Sequence, residues 1–275
     1  MAPISIIIPA YNEEGAIGPT IDRIRALSLE KEIIVVDDAS SDRTAAIAEQ
    51  HGARVVRRPV NIGYGRALKD GIHAASHDLI AITDADGSYP VEQIATLLVP
   101  LSRGADMVVG ARQGAAYRGS FLKMLSRMAL KIIVEFATGR TIPDINSGLR
   151  VFRKSDVVPY FPDICESFSF TTTITLVYLL THRTVVYFPI SYDKRVGRSK
   201  VRHVRDALRT LQYVTECLVH YNPLKLFLLL SLFTLLVGIV ASLLFGIGAL
   251  LQSMFFTMVI VALGLIAESL RRPRR

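Results

Sequence analysis

The segment Asp78–Pro90, DLIAITDADGSYP, joins the pattern of a buried strand to two acidic residues and a turn. Its apolar first half is typical of a strand inside a sheet, and its Gly, Ser and Pro residues are typical of a turn. Asp84 and Asp86 therefore stand at the carboxyl end of a predicted strand. Two interpretations are open. The side chains could bond to the backbone of their own turn, or they could bind a hard divalent cation, which prefers carboxylate oxygens.

The order of strand, polar turn and helix recurs through the first half of the chain. Strand patterns occur in ISIIIPA, EIIVVDD, ARVVRR, DLIAIT and ADMVVGAR, and segments with helical patterns separate them. Short apolar strands that alternate with helices predict a parallel sheet covered on both faces. Such a sheet binds its ligand at the carboxyl ends of its strands, which here are residues 9–14, 37–41, 84–88 and 110–112. Acidic and small polar residues crowd three of these four ends.

The composition favours an anionic partner. The 275 residues carry a formal charge of +8, which indicates phosphates, nucleic acid or an anionic membrane surface. Nucleic acid is disfavoured because the basic residues flank apolar segments and lack interleaved aromatic residues. Cys165, Cys217 and the six histidines show no metal-ligand spacing, which argues against a disulfide framework and against structural zinc.

The C-terminal part has the pattern of a membrane hairpin. No charged residue occurs from Leu226 to Ala267, and one span needs about 20 apolar residues. The pattern predicts two helices, over residues 224–246 and 249–268, with a reversal at FGIGALLQS. A hairpin buried in a soluble core is the alternative, but the chain has little mass to cover it. Lys and Arg before and after the hairpin predict a multi-pass protein of the cell (inner) membrane, with its N-terminal part on the cytoplasmic side.

Two further segments have an amphipathic pattern. The first, Ser120–Arg140, places apolar residues on one stripe and its Lys and Arg residues largely off it, and Ser199–His220 is similar. Lys and Arg beside an apolar stripe are common in helices that lie at a membrane interface. Ordinary packing against the sheet is the alternative. The second segment leads directly into the first predicted span, which favours membrane contact there.

The polar ends of the other strands suggest a nucleotide. In VVDDASSDRT, Asp42 can cap the next helix, whereas Asp37 and Asp38 could accept hydrogen bonds from a base or a ribose. In NIGYGRALKDG, Gly63 and Gly65 would let the backbone approach a ligand closely. This stretch is not a dinucleotide fingerprint, because Leu occupies the third glycine position and the stretch follows the third strand. No phosphate-binding P-loop motif is present either.

Five motifs in order support a family resemblance. SIIIPAYNEE, VVDDASSDRT, TDADG, DINSGLRVF and RVGRSK precede the predicted hairpin. Together they resemble the membrane-bound polyprenyl-phosphate glycosyltransferases of glycosyltransferase family 2, which are dolichol-phosphate mannose synthase-like or undecaprenyl-phosphate sugar transferase-like. The resemblance implies an α/β fold, with a GT-A (Rossmann-like) catalytic domain, amphipathic interfacial helices and a C-terminal two-helix transmembrane hairpin. The expected parts are a GT-A domain over 1–198 with an interfacial helix at about 117–139, a juxtamembrane helix over 199–222, transmembrane helices over 223–270 and a basic tail over 271–275.

The resemblance also implies a reaction. A hexose would be transferred, with inversion, from a UDP- or GDP-sugar to the phosphate of undecaprenyl or dolichyl phosphate. The cofactor would be Mg²⁺ or Mn²⁺, and a homo-oligomer is compatible with the resemblance. A non-catalytic, membrane-anchored nucleotide-sugar-binding or scaffold protein is one alternative. A polysaccharide synthase is another, although that group carries a Q-x-x-R-W element and this chain has no Trp. The sugar, the nucleotide and the length of the lipid are not readable from the motifs.

The resemblance implies four sets of site residues, which overlap. The catalytic set is Asp84, Asp86, Asp144 and Arg150. The nucleotide-sugar set is Pro9, Ala10, Tyr11, Asn12, Glu13, Asp37, Asp38, Gly63, Asp84, Ala85, Ser147 and Gly148. The acceptor-phosphate set is Arg112, Lys123, Ser126, Arg127, Arg195, Ser199 and Lys200. The metal set is Asp84, Asp86 and Ser88, where many relatives have Gln in place of Ser88.

Overall fold

The computed structural model describes residues 2–114, 121–193, 195 and 203–271. The strands are β1 (Ile4–Ala10), β2 (Lys31–Asp37), β3 (Arg54–Arg57), β4 (Leu79–Ile82), β5 (Met107–Gln113), β6 (Arg150–Arg153) and β7 (Val185–Ser191). The helices are α1 (Ile17–Arg25), α2 (Thr44–Gln50), α3 (Tyr64–Ala74), α4 (Ile94–Ser102), α5 (Phe121–Thr138), α6 (Lys154–Val157), α7 (Phe170–Leu180), α8 (His203–Tyr221), α9 (Pro223–Phe245) and α10 (Ile247–Arg271).

The strands form one sheet in the order β3-β2-β1-β4-β6-β5-β7. Neighbouring strands are parallel except at β6, which runs antiparallel to both β4 and β5. The prediction of a purely parallel sheet is therefore wrong at this strand. Because β6 enters the sheet from the edge where β4 and β5 end, the loop before β6 meets the loops after those two strands. This arrangement brings three polar segments of the chain to one place.

Both faces of the sheet are covered, which explains the near-continuous apolar strands. Every residue of β1 is buried. On one face Ile7 packs in a cluster with residues of α3, α5, α7 and α8. On the other face Ile6 and Ile8 pack with residues of α1 and α4. Alternation along a strand sends successive side chains to opposite faces, so one apolar run serves both clusters.

The last two helices form the predicted hairpin. Asn222 caps α9 by accepting a hydrogen bond from the backbone of Lys225, and Gly246, with φ of 79°, makes the reversal before α10. Both helices are long and apolar enough to cross a membrane, and only 11% of the residues in the most apolar window of each are buried. A hairpin buried in a soluble core is therefore not what this chain forms. The predicted bounds agree with the observed helices to within three residues.

Helices α5 and α8 each expose an apolar row next to this hairpin. On α5, Val134 and Ala137 are buried, whereas Met128, Ile132 and Phe136 are exposed. The amino group of Lys225 donates to the carbonyl of Ala137 at 3.2 Å, which ties the end of α5 to the start of α9. On α8, the exposed apolar residues are Leu208, Leu211 and Val219. Each of these two helices therefore packs on the domain with one face and exposes its apolar row on another face.

Candidate active site

The loops after β1 and β2 are bonded to each other. The amide of Asn12 donates to Ser40 Oγ at 2.9 Å, and Asn12 Oδ1 accepts from the amide of Ser41 at 2.8 Å. The amide of Glu13 donates to Thr44 Oγ1 at 2.8 Å. These bonds bring the predicted nucleotide segments 9–13 and 37–38 together at the sheet edge. The Asp37 carboxylate, which is buried, accepts from the amide of Ser40 at 3.3 Å.

Asp38 shapes the loop that precedes α3. Its two carboxylate oxygens accept from the amides of Ile62 at 3.0 Å and Gly63 at 2.8 Å. Gly63 has φ of 120°, a conformation that favours glycine. A Cβ on Gly65 would lie 2.6 Å from the carbonyl oxygen of Cys165. The close approach that these glycines allow is therefore to the chain's own segment 165–167, and the predicted approach to a ligand is not needed to explain them.

Asp84 and Asp86 have different surroundings. Asp84 Oδ1 accepts from the Tyr64 hydroxyl at 2.8 Å. Burial, and then the neighbouring charge of Asp86, raise the pKa of Asp84 to about 6. Asp86 Oδ1 accepts from the amide of Ser88 at 3.0 Å and from its hydroxyl at 2.5 Å. Asp86 Oδ2 accepts from Arg195 Nη2. The turn interpretation thus applies to one oxygen of Asp86 and leaves Asp84 unexplained.

The residues present fit a divalent cation. Two carboxylates one residue apart, of which Asp86 is buried and Asp84 partly exposed, supply the hard oxygen ligands that Mg²⁺ and Mn²⁺ take. A cation between them would relieve their mutual repulsion. A cationic group, the Arg195 guanidinium, already contacts Asp86. The buried Ser88 hydroxyl donates a hydrogen bond to Asp86 and thereby orients that carboxylate. Within the described part of the chain, no group of three or more His, Cys, Asp or Glu residues is arranged to hold a metal.

The loop before β6 is bonded to the ends of β4 and β5. Asp144 forms an ion pair with Arg112, with 2.7 Å between Asp144 Oδ2 and Arg112 Nε. Ser147 Oγ donates to the carbonyl of Gly110 at 2.5 Å. The amide of Gly148 donates to the Tyr89 hydroxyl at 2.7 Å. Gly148 also lies against the acid pair, because a Cβ there would be 2.8 Å from an oxygen of Asp84.

The structure places Arg150, which was predicted to be catalytic, inside the fold. Its side chain is fully buried, and its guanidinium donates to the carbonyls of Ser147 and Ile145, both at 2.8 Å, and to Thr175 Oγ1 at 2.7 Å. Arg150 holds the loop that carries Ser147 and Gly148 against α7.

Aromatic residues that the sequence did not point to lie around the acid pair. Tyr64 bonds to Asp84 and stacks on Phe168, with ring centroids 6.0 Å apart. Tyr192 lies 5.2 Å from Tyr89 and 5.3 Å from the guanidinium carbon of Arg112, measured to ring centroids. For Tyr89 the sequence offered one signal, which is its position in the same turn as the two aspartates. Nothing local distinguishes Tyr64, Phe168 or Tyr192 from core aromatic residues.

Part of the predicted acceptor-phosphate set lies outside the described residues. Ser199 and Lys200 are not among the described residues, and neither are the side chains of Lys123, Ser126 and Arg127. Of the remaining two, Arg112 is paired with Asp144 and Arg195 with Asp86. Both arginines therefore lie beside the carboxylates of the site.

The model of the family described as glycosyl transferase family 2 matches residues 5–161. The chain belongs to this family. The predicted family is thereby confirmed, and so is the prediction that the chain is a glycosyltransferase. The family region contains the two aspartates, the loop before β6 and most of the sheet.

Curated relatives carry more specific names. The chain is 28% identical to the dolichyl-phosphate hexose transferase of Haloferax volcanii, over 72% of this chain and 86% of the relative. It is 29% identical to the undecaprenyl-phosphate 4-deoxy-4-formamido-L-arabinose transferase of Klebsiella pneumoniae, over 90% of this chain and 75% of the relative. It is also 29% identical to the low-salt glycan biosynthesis hexosyltransferase Agl6 of Haloferax volcanii, over 77% of this chain. The match spans about half of Agl6, 52% of its length.

Solved structures confirm the predicted fold class. Glucosyl-3-phosphoglycerate synthase of Mycobacterium tuberculosis, in complex with Mn²⁺, UDP and glucosyl-3-phosphoglycerate, matches with a TM-score of 0.63 and 20% identity, over 78% of this chain and 79% of that one. Mannosyl-3-phosphoglycerate synthase of Rubrobacter xylanophilus matches with a TM-score of 0.59 and 21% identity, over 78% and 72% of the two chains. At this identity the likeness concerns the fold alone.

Proposed function

We propose that this chain transfers a hexose, with inversion, from a nucleotide-sugar to the phosphate of a membrane polyprenyl phosphate. The observation that carries the proposal is that the acid pair, half-buried Asp84 and buried Asp86, lies at the polar edge of a sheet in a chain that has a membrane-type hairpin. The names of the relatives from Haloferax volcanii and Klebsiella pneumoniae support a polyprenyl-phosphate acceptor. The solved fold relative with Mn²⁺ and UDP supports a nucleotide donor.

The donor would lie across the carboxyl ends of β1, β2 and β4. Pro9, Ala10, Tyr11, Asn12, Glu13, Asp37, Asp38 and Gly63 form or shape the nucleotide side of this edge, and Ala85, Ser147 and Gly148 form the sugar side. The interlocked loops hold the first group in one arrangement before the ligand arrives, which lowers the entropic cost of binding. Mg²⁺ or Mn²⁺ held by Asp84 and Asp86 would neutralise charge on the departing diphosphate.

The acceptor phosphate needs orientation more than activation. A phosphate is anionic at neutral pH, so no strong general base is required to create the nucleophile. Arg112 lies at the end of β5 with its guanidinium on Asp144 and beside Tyr192. We assign it, with Lys123, Ser126, Arg127, Ser199 and Lys200, to binding of the lipid phosphate, since charged donors suit phosphate oxygens. A single in-line displacement inverts the anomeric carbon.

The hairpin would place this reaction at the membrane surface. Lys225 ties the end of α5 to the start of α9, and the exposed apolar rows of α5 and α8 would rest on the lipid interface. In this arrangement residues 1–198 are the catalytic domain, 199–222 the juxtamembrane helix, 223–270 the spans and 271–275 a basic tail. Both ends of the hairpin lie on the cytoplasmic side, following the excess of Lys and Arg there.

A transfer assay tests the function. Purified full-length protein in lipid nanodiscs would be given radiolabelled UDP- or GDP-hexoses together with undecaprenyl or dolichyl phosphate, with Mn²⁺, Mg²⁺ or EDTA. The expected result is a cation-dependent, lipid-extractable product with at least one donor. Binding of nucleotide-sugar without turnover across the whole panel would overturn the proposal and favour a scaffold.

Two variants sharpen this assay. Asp86→Asn should lower transfer by at least about a hundredfold, the size of effect seen when an electrostatic group is removed from an active site. Asp22→Asn removes the same charge at an exposed position paired with His51 and should retain transfer. Circular dichroism would verify that both variants are folded. Equal activity of the two variants would contradict a role for Asp86.

A further inference from the structure

Arg195 occupies the position at Asp86 where a cation would be expected. Its Nη2 donates to Asp86 Oδ2, and the other carboxylate oxygen is engaged by Ser88. The Asp86 side chain is only 3% exposed, whereas that of Arg195 is 36% exposed. The carboxylate is therefore fixed in place, while the arginine approaches it from the solvent side. Any second cation that binds Asp86 must contend with this guanidinium.

Charge around the acid pair makes this contact more than a surface ion pair. Asp84 lies close to Asp86 and accepts a hydrogen bond from the neutral Tyr64 hydroxyl. The other cation near Asp84, Arg112, is already bonded to Asp144 through two guanidinium nitrogens. Arg195 thus contacts the pair directly, through Asp86, and adds to the favourable charge of Arg112 near Asp84. A divalent cation would offset the same charge at shorter range and would make the guanidinium redundant.

From this geometry we infer that Arg195 belongs to the donor's diphosphate subsite and competes with the divalent cation for Asp86. When a nucleoside diphosphate and a cation bind together, the cation takes the Asp86 oxygen and the guanidinium transfers to the diphosphate. Arginine suits both partners, because its planar fork matches carboxylate and phosphate oxygens equally well. The family resemblance implies a place for Arg195 near the acceptor phosphate or the leaving group, and its contact with Asp86 favours the leaving diphosphate.

This exchange couples the two ligands. A cation that arrives alone must displace Arg195 without offering it a new partner, so its affinity is reduced. A diphosphate supplies that partner, so cation and nucleotide strengthen each other's binding by the same factor, as linkage requires. The ion pair also hinders other cations from binding the two carboxylates while the donor is absent. The inference rests on the donor part of the proposed function and is independent of the acceptor.

Mn²⁺ binding tests the inference without any turnover. Free Mn²⁺ would be measured by electron paramagnetic resonance on full-length protein in nanodiscs, with and without UDP. Relative to the unmodified protein, Arg195→Gln should bind Mn²⁺ alone about tenfold more tightly, within the usual range of coupling between sites. UDP should then tighten Mn²⁺ binding less in this variant than in the unmodified protein. Unchanged or weaker Mn²⁺ binding by Arg195→Gln in the absence of UDP would overturn the inference.

Two further variants keep the result interpretable. Arg195→Lys retains a cation at Asp86 and should leave the Mn²⁺ affinity close to that of the unmodified protein. Arg54→Gln removes one positive charge at the start of β3, near Glu32, and should also leave it unchanged. A tenfold gain in Arg54→Gln would show a general charge effect and would overturn the inference. Coupled Mn²⁺ and UDP binding without sugar transfer would reject the proposed function alone, whereas transfer without coupling would reject only the inference.

Discussion

The Asp144 carboxylate receives three hydrogen bonds from Arg112: from the backbone amide at 3.1 Å, from Nε at 2.7 Å and from Nη2 at 2.9 Å. Arg112 stands in β5, and Asp144 lies in the loop that leads into β6. The contact therefore joins the end of β5 to the loop before β6, and these two strands run in opposite directions. Because Asp144 is almost fully buried, removal of either partner would leave a buried charge without compensation.

Asp144→Asn should destabilise the fold. Breaking a buried ion pair by removing one partner costs about 3 kcal/mol in the free energy of unfolding. Thermal and denaturant unfolding of the protein in detergent would measure the loss. Asp22→Asn, at the exposed pair with His51, is the matched control and should change stability little. Equal effects of the two substitutions would contradict the importance of the Arg112–Asp144 contact.

The same pair predicts how stability depends on pH. Burial alone would raise the pKa of Asp144, but the hydrogen bonds and charge of Arg112 outweigh it and hold that pKa below its usual value. A carboxyl with a lowered folded-state pKa stabilises the fold above its unfolded pKa, about 3.9, and loses this contribution as pH falls through the folded value. The stability gap between the unmodified protein and Asp144→Asn should be constant near neutral pH and shrink below about pH 4. A gap that widens on acidification would contradict this sign.

Gly148→Ala should impair activity while the chain still folds. The added methyl would lie 2.8 Å from Asp84 Oδ1 and 3.0 Å from its Oδ2 and Cγ, so the carboxylate must move. Displacements of about 1 Å in a site can cost about a hundredfold in rate. Sugar transfer and Mn²⁺ binding would both be measured. Gly248→Ala is the control, because among the described residues nothing lies within 4 Å of a Cβ there, and it should retain full activity.

Thr175→Val should weaken the loop that Arg150 holds. The substitution keeps the shape of the side chain and removes the hydroxyl that accepts from Arg150 Nη1 at 2.7 Å. Loss of a hydrogen bond to a charged group costs about 2 kcal/mol of stability. If Arg150 positions the sugar-side loop, kcat should fall while the KM for nucleotide-sugar changes less. Thr175→Ser retains the hydroxyl and should restore both values. Failure of the Ser variant to do so would point to packing alone.

Gly238→Val should separate the two hairpin helices. A Cβ at Gly238 would overlap the Ser253 side chain, so the helices meet there only because glycine lacks one. Overpacking of this kind costs about 1–3 kcal/mol, seen as a lower melting temperature in detergent. Gly248→Val places the same side chain in open space and should melt at the unmodified temperature. Identical melting of the two variants would contradict close packing at Gly238.

Local patterns explain which parts of the fold could be predicted. The apolar runs of β1, β2, β4 and β5 and the two long helices of the hairpin are visible as short-range periodicity, which is physical information carried by neighbouring residues. β6 could not be recognised, because its four residues RVFR include two arginines and show no apolar run. Its strand state depends on pairing with β4 and β5, and its first arginine is buried only because carbonyls and Thr175 surround it.

The candidate site divides in the same way. Asp84 and Asp86 were recognisable because a strand end followed by carboxylates is a local signal. Their partners were not, because Tyr64 lies 20 positions from Asp84 and Arg195 lies 109 positions from Asp86 along the chain. No periodicity connects residues so far apart. The contacts of Arg150 and Gly65 could not be predicted for the same reason, because each contacts a segment that only folding brings near.

By itself, the order of residues determined the alternation of strands and helices, the membrane character of the tail, the family and the two aspartates, since each depends on hydrophobicity or chemistry along a short stretch. The tertiary structure alone decided the antiparallel entry of β6, the enclosure of Arg150 and the pairing of Arg195 with Asp86. These depend on which backbone edges pair and which charges are removed from water together, and both are settled only when distant segments pack.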